Sequence, residues 1–438
     1  MLKVVKFGGS SLADANQYKK VKNIVAADSS RKVVVVSAAG KRSSDDHKIT
    51  DLLYLCHAHI KYGVEADSVW SIVSDRYTEI KNELGLSVDL APILEEVKKE
   101  LDAGASQDYV VSRGEYLSAI LMADFLGYRF VDASEWVVFR FDGEIDTEAS
   151  YEKLRAIPVG NGIVTPGFYG SLPDGTIKIM SRGGSDITGA LAAAAIDADV
   201  YENWTDVPGV LMADPRIVKD PLPLKSITYT ELRELSYMGA QVLHESAVYP
   251  VKNKNIPLNI RDTNNPEKDG TMIMSECDDD DDDNFITGIT GRKNFTIITI
   301  AKTGLTGAVG YLRIIAEAFE NHSVSIECVP NGIDTVSVVV SSKVKSKVLY
   351  SLIGEIEKKL KPDNISLTDK ISIIAVVGRK MAYRPGTSGK LFAALGQNEI
   401  NIRMISQGPD ERNIIVGIDN SDYEKTIKVL YDKFIREA

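Results

Sequence analysis

The chain has 438 residues, a length that divides into two to four domains of roughly 100–200 residues each. Apolar residues make up 44% and charged residues 26%, which is typical of a globular protein, and no run approaches the roughly 18 apolar residues of a membrane helix. The net charge of −11 does not favour nucleic acid, and the three scattered cysteines predict no disulfide framework. We therefore expect a cytoplasmic protein without a nucleic-acid, membrane or zinc partner.

Predicted strands and helices alternate over the first 265 or so residues, which is the pattern of a layered α/β domain. The strands are predicted at 1–7, 33–36, 129–132, 162–165, 176–180, 200–203 and 257–260. The helices are predicted at 49–58, 88–103, 115–126 and 186–196. The β-branched run at 33–36 is typical of a fully buried parallel strand.

A run of six acidic residues, Asp278 to Asp283, separates two regions of different character. We interpret it as a solvated linker of like charges rather than a cation site. The predicted domain is 1–275 and the predicted linker is 276–293.

A β-α-β-β-α order then occurs twice, over 294–365 and 366–438. The first copy has predicted strands at 295–301, 324–329 and 335–340 and helices at 310–321 and 346–360. The second has strands at 371–377, 400–405 and 413–418 and helices at 388–398 and 423–435. A repeat of about 75 residues in this order matches a ferredoxin-like unit. Two such units after an enzyme-sized domain suggest a regulatory module.

The first motif that bears chemistry is Lys6-Phe7-Gly8-Gly9-Ser10-Ser11, between a predicted strand and a predicted helix. Glycines in such a turn let backbone N–H groups approach phosphate oxygens, and Lys6 adds a mobile positive charge. It is not a Walker A loop, since GxxxxGK[ST] does not occur in the chain. Alone, this motif is compatible either with phosphate binding or with an ordinary tight turn.

Two further motifs are predicted at helix N-termini. In Ser181-Arg182-Gly183-Gly184-Ser185-Asp186, Arg182 can bind a carboxylate with two parallel hydrogen bonds at the positive end of a helix. Ser185 or Asp186 acting only as a cap would not require the preceding Arg-Gly-Gly. In Ser112-Arg113-Gly114-Glu115, Glu115 could receive an ammonium group, although a first-turn Glu also stabilises a helix without a ligand.

The last pair of motifs follows the strand predicted at 200–203. They are Trp204-Thr205-Asp206-Val207-Pro208-Gly209 and Ala213-Asp214-Pro215-Arg216. Ligands bind at the carboxyl ends of strands in open α/β sheets, so these residues could hold a nucleotide. A loop that is merely rich in turn residues is the alternative.

In this order, KFGGSS, SRGE, SRGGSD, WTDVPG and ADPR resemble the aspartokinase branch of the amino-acid kinase family. The tandem repeat is similar to the paired ACT domains of those enzymes, so the resemblance covers essentially the whole chain. It implies an α/β fold: a three-layer αβα kinase domain followed by two ferredoxin-like (βαββαβ) ACT domains. The implied reaction is phosphorylation of the L-aspartate side chain by ATP with Mg²⁺.

The resemblance also implies a role for each motif residue. Those in catalysis would be Lys6, Arg182 and Asp186. Those in contact with ATP would be Lys6, Gly8, Gly9, Ser10, Thr205, Asp206, Leu211, Arg216 and Gln241. Those in contact with aspartate would be Ser37, Thr50, Glu115, Arg182, Gly183 and Ser185. Those near the allosteric effector would be Leu305, Glu327, Gln407 and Asn413. Leu211 and Gln241 stand where the family often has Tyr and Lys, and no residue is assigned as a metal ligand.

The implied effector is lysine or threonine, with lysine favoured, and the implied assembly is a homodimer or a dimer of dimers through the ACT domains. Two alternatives remain. One is another kinase of this fold that acts on glutamate, acetylglutamate or a nucleotide, which SRGE with SRGGSD disfavours. The other is a catalytically inert amino-acid sensor, which Lys6 and Arg182 disfavour.

Overall fold

The computed structural model describes residues 1–181, 183–240, 243, 247–277, 285–379, 381, 384–408 and 412–437. The chain divides into two compact units. The first comprises Met1–Val210, Pro223–Leu232 and Gln241–Cys277, and the second comprises Leu211–Leu222, Arg233–Ala240 and Asp278–Ala438. Two short segments from the predicted first domain therefore belong to the second unit, which a single boundary near residue 276 did not anticipate. Among the described helices, none combines the length and apolar character needed to cross a bilayer.

The strands described in the first unit form one large sheet and one hairpin. They are β1 Lys3–Phe7, β2 Arg31–Val36, β3 Arg129–Phe130, β4 Ile163–Pro166, β5 Tyr169–Ser171, β6 Ile177–Ile179, β7 Val200–Thr205, β8 Ser226–Thr228, β9 Leu258–Asp262 and β10 Thr271–Met274. The order in the eight-stranded sheet is β3-β4-β2-β1-β7-β9-β10-β8, and β5 pairs with β6. All neighbours in the large sheet are parallel except β9 and β10.

Helices cover both faces of this sheet. The helices described between residues 1 and 277, of which α9 continues into the second unit, are α1 Ala15–Ala26, α2 Ile49–Lys61, α3 Asp67–Leu84, α4 Ala91–Asp102, α5 Gln107–Leu126, α6 Ala133–Trp136, α7 Thr147–Arg155, α8 Gly184–Ala195, α9 Tyr229–Tyr237 and α10 Tyr249–Asn253. Phe7 of β1 and Val36 of β2 pack in one hydrophobic cluster with residues from α1 to α5. The opposite face carries α8, where Gly189 lies against the Tyr201 ring. The predicted three-layer αβα arrangement is confirmed.

Helix α5 corrects the prediction for the SRGE motif. The helix begins at Gln107, where the Ser106 side chain accepts a hydrogen bond from the backbone N–H of Tyr109. Ser112 to Glu115 therefore lie in the interior of the helix and do not open it. Glu115 is not a first-turn residue, so stabilisation of a helix N-terminus does not account for it.

The second unit contains a five-stranded antiparallel sheet with the order β12-β11-β13-β15-β14. Its strands are β11 Ile286–Ala301, β12 Thr335–Ser341, β13 Asn364–Gly378, β14 Ile402–Gln407 and β15 Asn413–Asp419. Its helices described beyond residue 285 are α11 Tyr311–Asn321, α12 Ser346–Leu360, α13 Thr387–Gln397 and α14 Tyr423–Tyr431, which a π-helical turn extends over Asp432–Arg436.

The two repeats share the long strands β11 and β13. The first half of β11 pairs with the second half of β13, from Ile286 opposite Gly378 to Arg292 opposite Ile373. The rest of β11 pairs with β12 and with the start of β13. Residues 286–293, predicted as linker, are therefore strand, and they precede the first repeat while pairing with the second.

The strand predicted at 324–329 does not form. Within that range Cys328 makes an isolated bridge to Val339 of β12, and just beyond it Asn331 makes another to Val336. Pro330 lies between the two bridges and has no N–H to donate, which interrupts a regular ladder. A β-branched pattern did predict the neighbouring strand β12 within one residue.

Candidate active site

The turn after β1 is built by close backbone contacts. The Gly8 N–H donates to the Trp204 carbonyl at 3.0 Å, and the Gly40 N–H donates to the Gly9 carbonyl at 2.8 Å. A Cβ atom on Gly40 would lie 2.6 Å from the backbone of Gly9, so a side chain there would displace one of the two segments. This turn, predicted as a phosphate site, therefore packs directly against the segment 37–40 that follows β2.

Lys6 lies on the face of the sheet that α8 covers. It is 7% exposed and pairs in register with Asn203 of the neighbouring strand β7. Its Nζ is 2.6 Å from Oδ1 of Asp186, in the first turn of α8, and 3.4 Å from Oδ1 of Asn203. The Asn203 amide in turn donates to the same Asp186 oxygen at 2.9 Å. Lys6, Asp186 and Asn203 thus form a compact triad, of which the sequence analysis had named the first two.

The start of α8 is fixed against the end of β2. Gly183 has φ +76°, a left-handed conformation that favours glycine and turns the chain into the helix. A Cβ atom on Gly167 would lie 2.7 Å from the Ser185 side chain, while the Gly167 N–H donates to the Val36 carbonyl at 2.9 Å. Ser185 is therefore held close to Ser37. Arg182, predicted to bind the substrate α-carboxylate, lies outside the described residues.

Glu115 is the most perturbed carboxylate of the site. It is 4% exposed, and its burial raises its pKa to about 8, although a backbone hydrogen bond from Ala38 and the charge of Arg113 act in the opposite direction. Its Oε2 atom is buried and has no hydrogen-bond partner among the described residues. A buried carboxylate without a partner for one of its oxygens favours the binding of a cationic hydrogen-bond donor, and the described residues supply none to Oε2.

The segment 37–40 links Glu115 to the phosphate turn. Tyr77 donates from its hydroxyl to the Gly114 carbonyl at 2.7 Å, and a Cβ atom on Gly114 would lie 2.8 Å from that of Ala38. The Ile49 N–H, at the start of α2, donates to the Ala39 carbonyl at 3.2 Å and so positions Thr50 nearby. Ser37, Thr50 and Glu115, distant in sequence, are thereby brought to one segment.

The nucleotide motifs follow β7. The Thr205 hydroxyl donates to Oδ1 of Asp206 at 3.2 Å, and the Thr205 carbonyl accepts from the Thr263 N–H at 2.8 Å. The hydroxyl groups of Thr263 and Ser11 are 2.7 Å apart and share a hydrogen bond. The end of β7 is in this way connected to the turn that follows β1.

The other predicted nucleotide residues lie elsewhere. Leu211 and Arg216 belong to the second unit, and Arg216 pairs with Asp214 at 2.6 Å. Gln241 lies outside the described residues. Within the part of the chain that the structure describes, no group of three or more His, Cys, Asp or Glu side chains is arranged to hold a metal ion.

Comparison with known proteins identifies the family. Residues 1–262 match the amino acid kinase family, and residues 374–434 match the ACT domain. Aspartokinase 3 of Bacillus subtilis is 35% identical over 453 residues, which cover 99% of this chain and 98% of that protein. The chain belongs to the aspartokinases. It is an aspartate kinase, a phosphotransferase with an amino-acid kinase domain and ACT-type regulatory sequence.

Solved aspartokinase structures share the fold over the full length. The aspartate kinase of Clostridium acetobutylicum is 49% identical, with a TM-score of 0.93 and coverage of 99% of this chain and 100% of that one. Aspartokinase III of E. coli in complex with aspartate and ADP (R-state) is 25% identical, with a TM-score of 0.77 and 99% of both chains covered. The same enzyme with lysine and aspartate (T-state) is 24% identical with a TM-score of 0.75 and shows the fold alone.

The residues predicted near an effector have different surroundings in this aspartokinase. The Leu305 side chain is packed in a hydrophobic cluster. Glu327 pairs with Arg292 at 2.5 Å and accepts from the Tyr237 hydroxyl at 3.0 Å. Asn413 donates to Glu234 at 2.6 Å. Gln407 lines a pocket of about 550 Å³ together with Met381, Arg384, Pro385, Gly386, Thr387, Ser388, Gly389, Gly408 and Ile414.

Sequence reasoning missed three residues that organise the aspartokinase site. Asn203 was treated only as the end of a strand. Tyr77 accepts from the Ala39 N–H at 3.4 Å, besides its bond to Gly114. Arg76 donates to the Gly40 carbonyl at 3.0 Å and pairs with Asp46 at 2.7 Å. Tyr77 and Arg76 lie on α3, and no sequence motif marks them.

Proposed function

We propose that this aspartokinase transfers the γ-phosphoryl group of ATP to the side-chain carboxylate of L-aspartate. The product would be 4-phospho-L-aspartate, and the step would begin the synthesis of lysine, threonine and methionine. The buried Oε2 of Glu115, without a partner among the described residues, carries the choice of an amino acid as substrate. An α-ammonium group would provide this oxygen with an N–H donor and with a neighbouring positive charge. Arg182, from its place in the motif, would bind the α-carboxylate.

The chemistry needs no general base. The side-chain carboxylate of aspartate is ionised near neutral pH, since its reference pKa is about 3.9. One of its oxygens attacks the γ-phosphorus, the bond from that phosphorus to the bridging oxygen breaks, and ADP leaves with the electron pair. The difficulty is to bring two anions together and to stabilise the charge on the transferring group.

Lys6 would reduce this repulsion through its positive charge, and the Gly8–Gly9 turn would do so through its backbone N–H groups. Lys6 is neutralised by Asp186 at 2.6 Å, so phosphate oxygens would compete with this carboxylate for the ammonium group. Mg²⁺ would be held mainly by the phosphates of ATP and by water, as is common for this ion. When bound, the ion would neutralise phosphate charge.

The proposal is tested by ADP release with aspartate and Mg-ATP. We expect aspartate-dependent turnover in the wild type, and we expect Lys6→Ala to lower kcat by about 10²–10³-fold, the usual effect of losing a donor to developing charge. The KM for aspartate should change little, because Lys6 would contact the phosphoryl group. Lys61→Ala, at the end of α2, is the matched control and should leave kcat unchanged. Turnover that does not depend on aspartate, or that is faster with glutamate, would contradict the proposal.

We further propose that the second unit binds an end-product amino acid, with lysine as the first candidate, and that the protein assembles as a homodimer or a dimer of dimers. The resemblance of the tandem repeat to the ACT domains of aspartokinases supports this choice, and residues 374–434 match that domain. Separate and combined titrations of lysine and threonine against the full chain would identify the effector. Light scattering after size exclusion would give the assembly, and a monomer that neither lysine nor threonine inhibits would contradict both parts.

Removal of all residues after Asp283 is a poor test of regulation. Segments Leu211–Leu222 and Arg233–Ala240 belong to the same unit as the residues that would be removed. For example, the Met212 carbonyl accepts from the Ile289 N–H at 2.7 Å, and the Leu222 N–H donates to the Tyr431 hydroxyl at 2.9 Å. The truncation would strip these segments of their packing partners. Point variants of Gln407 and Glu327 in the full chain are therefore preferable.

A further inference from the structure

We propose that Asn203 is a positioning residue for phosphoryl transfer. Its side-chain amide holds the carboxylate of Asp186 in place when Lys6 leaves that carboxylate for the phosphoryl group. This inference rests on the proposed function and adds a residue to the same site. No motif pointed to Asn203, which is the last residue of the predicted strand 200–203.

The register of the central strands places Asn203 beside Lys6. Residues directly paired in parallel strands point to the same face, and Lys6 of β1 is paired with Asn203 of β7. Tyr201, two residues earlier, shares this face and donates from its hydroxyl to the backbone carbonyl of Asp186 at 3.1 Å. Strand β7 therefore donates two hydrogen bonds to Asp186, one from Tyr201 to the main-chain carbonyl and one from Asn203 to the side-chain carboxylate.

The two neighbours of Asn203 determine the orientation of its amide. Nδ2 lies 2.9 Å from the Asp186 carboxylate, which only accepts when ionised, and Oδ1 lies 3.4 Å from the Lys6 ammonium, which only donates. Rotation of the amide by half a turn would set oxygen against oxygen and nitrogen against nitrogen. Because Asn203 is only 4% exposed, water cannot easily replace the hydrogen bonds that such a rotation would break. Asn203 is thus fixed by its partners and can fix them in return.

The hydrogen bond from Asn203 to Asp186 becomes important in a second state of the triad, in which Lys6 contacts the phosphate. In the structure, Oδ1 of Asp186 accepts from both Lys6 and Asn203. When Lys6 turns to the phosphate oxygens, the Asn203 bond is the one of these two that remains on the Asp186 oxygen. An apolar side chain at 203 would leave that carboxylate, 19% exposed, without this donor and would favour the state in which Lys6 stays paired.

The test uses two variants of Asn203 and one control. Asn203→Leu removes both hydrogen bonds and keeps the branching at Cγ, and Asn203→Asp places a third charged group beside Lys6 and Asp186. Asn259→Leu is the matched control. Asn259 is also buried, at 7%, on the adjacent strand β9, but it is paired with Glu202 and so lies on the opposite face. Melting temperatures of all three variants establish that they fold.

For Asn203→Leu we expect kcat/KM for ATP to fall by about 10- to 100-fold, the range for a hydrogen bond to a charged group. The KM for aspartate should stay within about two-fold. For Asn203→Asp we expect a larger loss that recovers as the pH is lowered, because two adjacent carboxylates share a proton and the protonated form again donates to Asp186. A purely structural role would not produce this recovery.

Three kinetic results would overturn the proposal: a kcat/KM for Asn203→Leu within two-fold of wild type, an equal loss in Asn259→Leu, or a pH profile of Asn203→Asp parallel to the wild-type profile. Calorimetric titration with Mg-ATP separates this proposal from the proposed function, because it needs no acceptor. We expect several-fold weaker binding to Asn203→Leu and unchanged binding to Asn259→Leu. A wild type without aspartate-dependent ADP release would contradict the proposed function, and equal Mg-ATP affinities would contradict the role of Asn203.

Discussion

Replacement of Glu115 by glutamine should stabilise the protein, by an amount that grows with pH. Burial raises the pKa of Glu115 from 4.5 to about 8. Between these two pH values the folded protein therefore holds a proton on Glu115 that the unfolded chain has lost. A raised pKa contributes stability that is complete below the unfolded value and is lost as the pH rises through the folded value. At about 1.36 kcal/mol per pH unit, the loss is about 3 kcal/mol near pH 7 and about 5 kcal/mol above pH 8.

The assay is thermal melting of wild type and Glu115→Gln across this pH range, without amino acids, at one protein concentration and one scan rate. The two melting temperatures should be similar near pH 4.5, diverge in favour of the variant as the pH rises, and differ by a constant amount above about pH 8. Glu83→Gln is the control, because Glu83 is an exposed residue of α3. Its melting curve should follow the wild type at every pH.

The same melting experiment is repeated with saturating aspartate to test the assignment of the ammonium site. If the ammonium group of aspartate binds Glu115, saturating aspartate favours the ionised carboxylate and stabilises the wild type but not the variant. The difference between the two proteins should therefore shrink when aspartate is added at pH 8. Parallel melting curves over the whole pH range would refute the reasoning about burial. A difference that aspartate leaves unchanged would refute the assignment of the ammonium site.

Two further predictions concern the frame of the site. Gly40→Ala should lower kcat strongly and cost about 1–3 kcal/mol of stability, because its Cβ would lie 2.6 Å from the Gly9 backbone; Gly354→Ala, in open space on α12, should do neither. Glu202→Gln should cost about 3–5 kcal/mol in urea unfolding at neutral pH, because it leaves the buried guanidinium of Arg31, now 2.9 Å from Glu202, without its countercharge. Unfolding midpoints equal to wild type would contradict either prediction.

Local patterns in the sequence predicted the elements that depend on local chemistry. The helix Ser346–Leu360 was predicted to the residue, because its apolar residues recur with helical period. The buried run at 33–36 correctly predicted most of β2, which also includes the polar Arg31 and Lys32. The start of α5 was misplaced because the Ser106 cap was overlooked in favour of a motif. The interior position of Glu115 then follows from that cap and could have been predicted from it.

The contacts that assemble the site were less accessible to such patterns. Lys6 and Asp186 were predicted because each belongs to a motif, but the register that sets Asn203 beside Lys6 joins residues 197 positions apart. Alternation along β7 does limit the possibilities, since Asn203 must share a face with Tyr201 and oppose Trp204. Which neighbouring residue it meets depends on strand order and register, and a single sequence does not fix either.

The second unit illustrates how sequence order and structural membership differ. Arg216 lies in a motif that follows β7 by only a few residues, so proximity along the chain assigned it to the kinase domain. Its segment instead packs with the regulatory strands and helices, through Met212 against Ile289 of β11 and Leu222 against Tyr431 of α14. Because these contacts are within one compact unit, we expect a rearrangement of β11 or α14 to move the segment that carries Arg216. A residue that the family resemblance assigns to ATP thus belongs to the second unit.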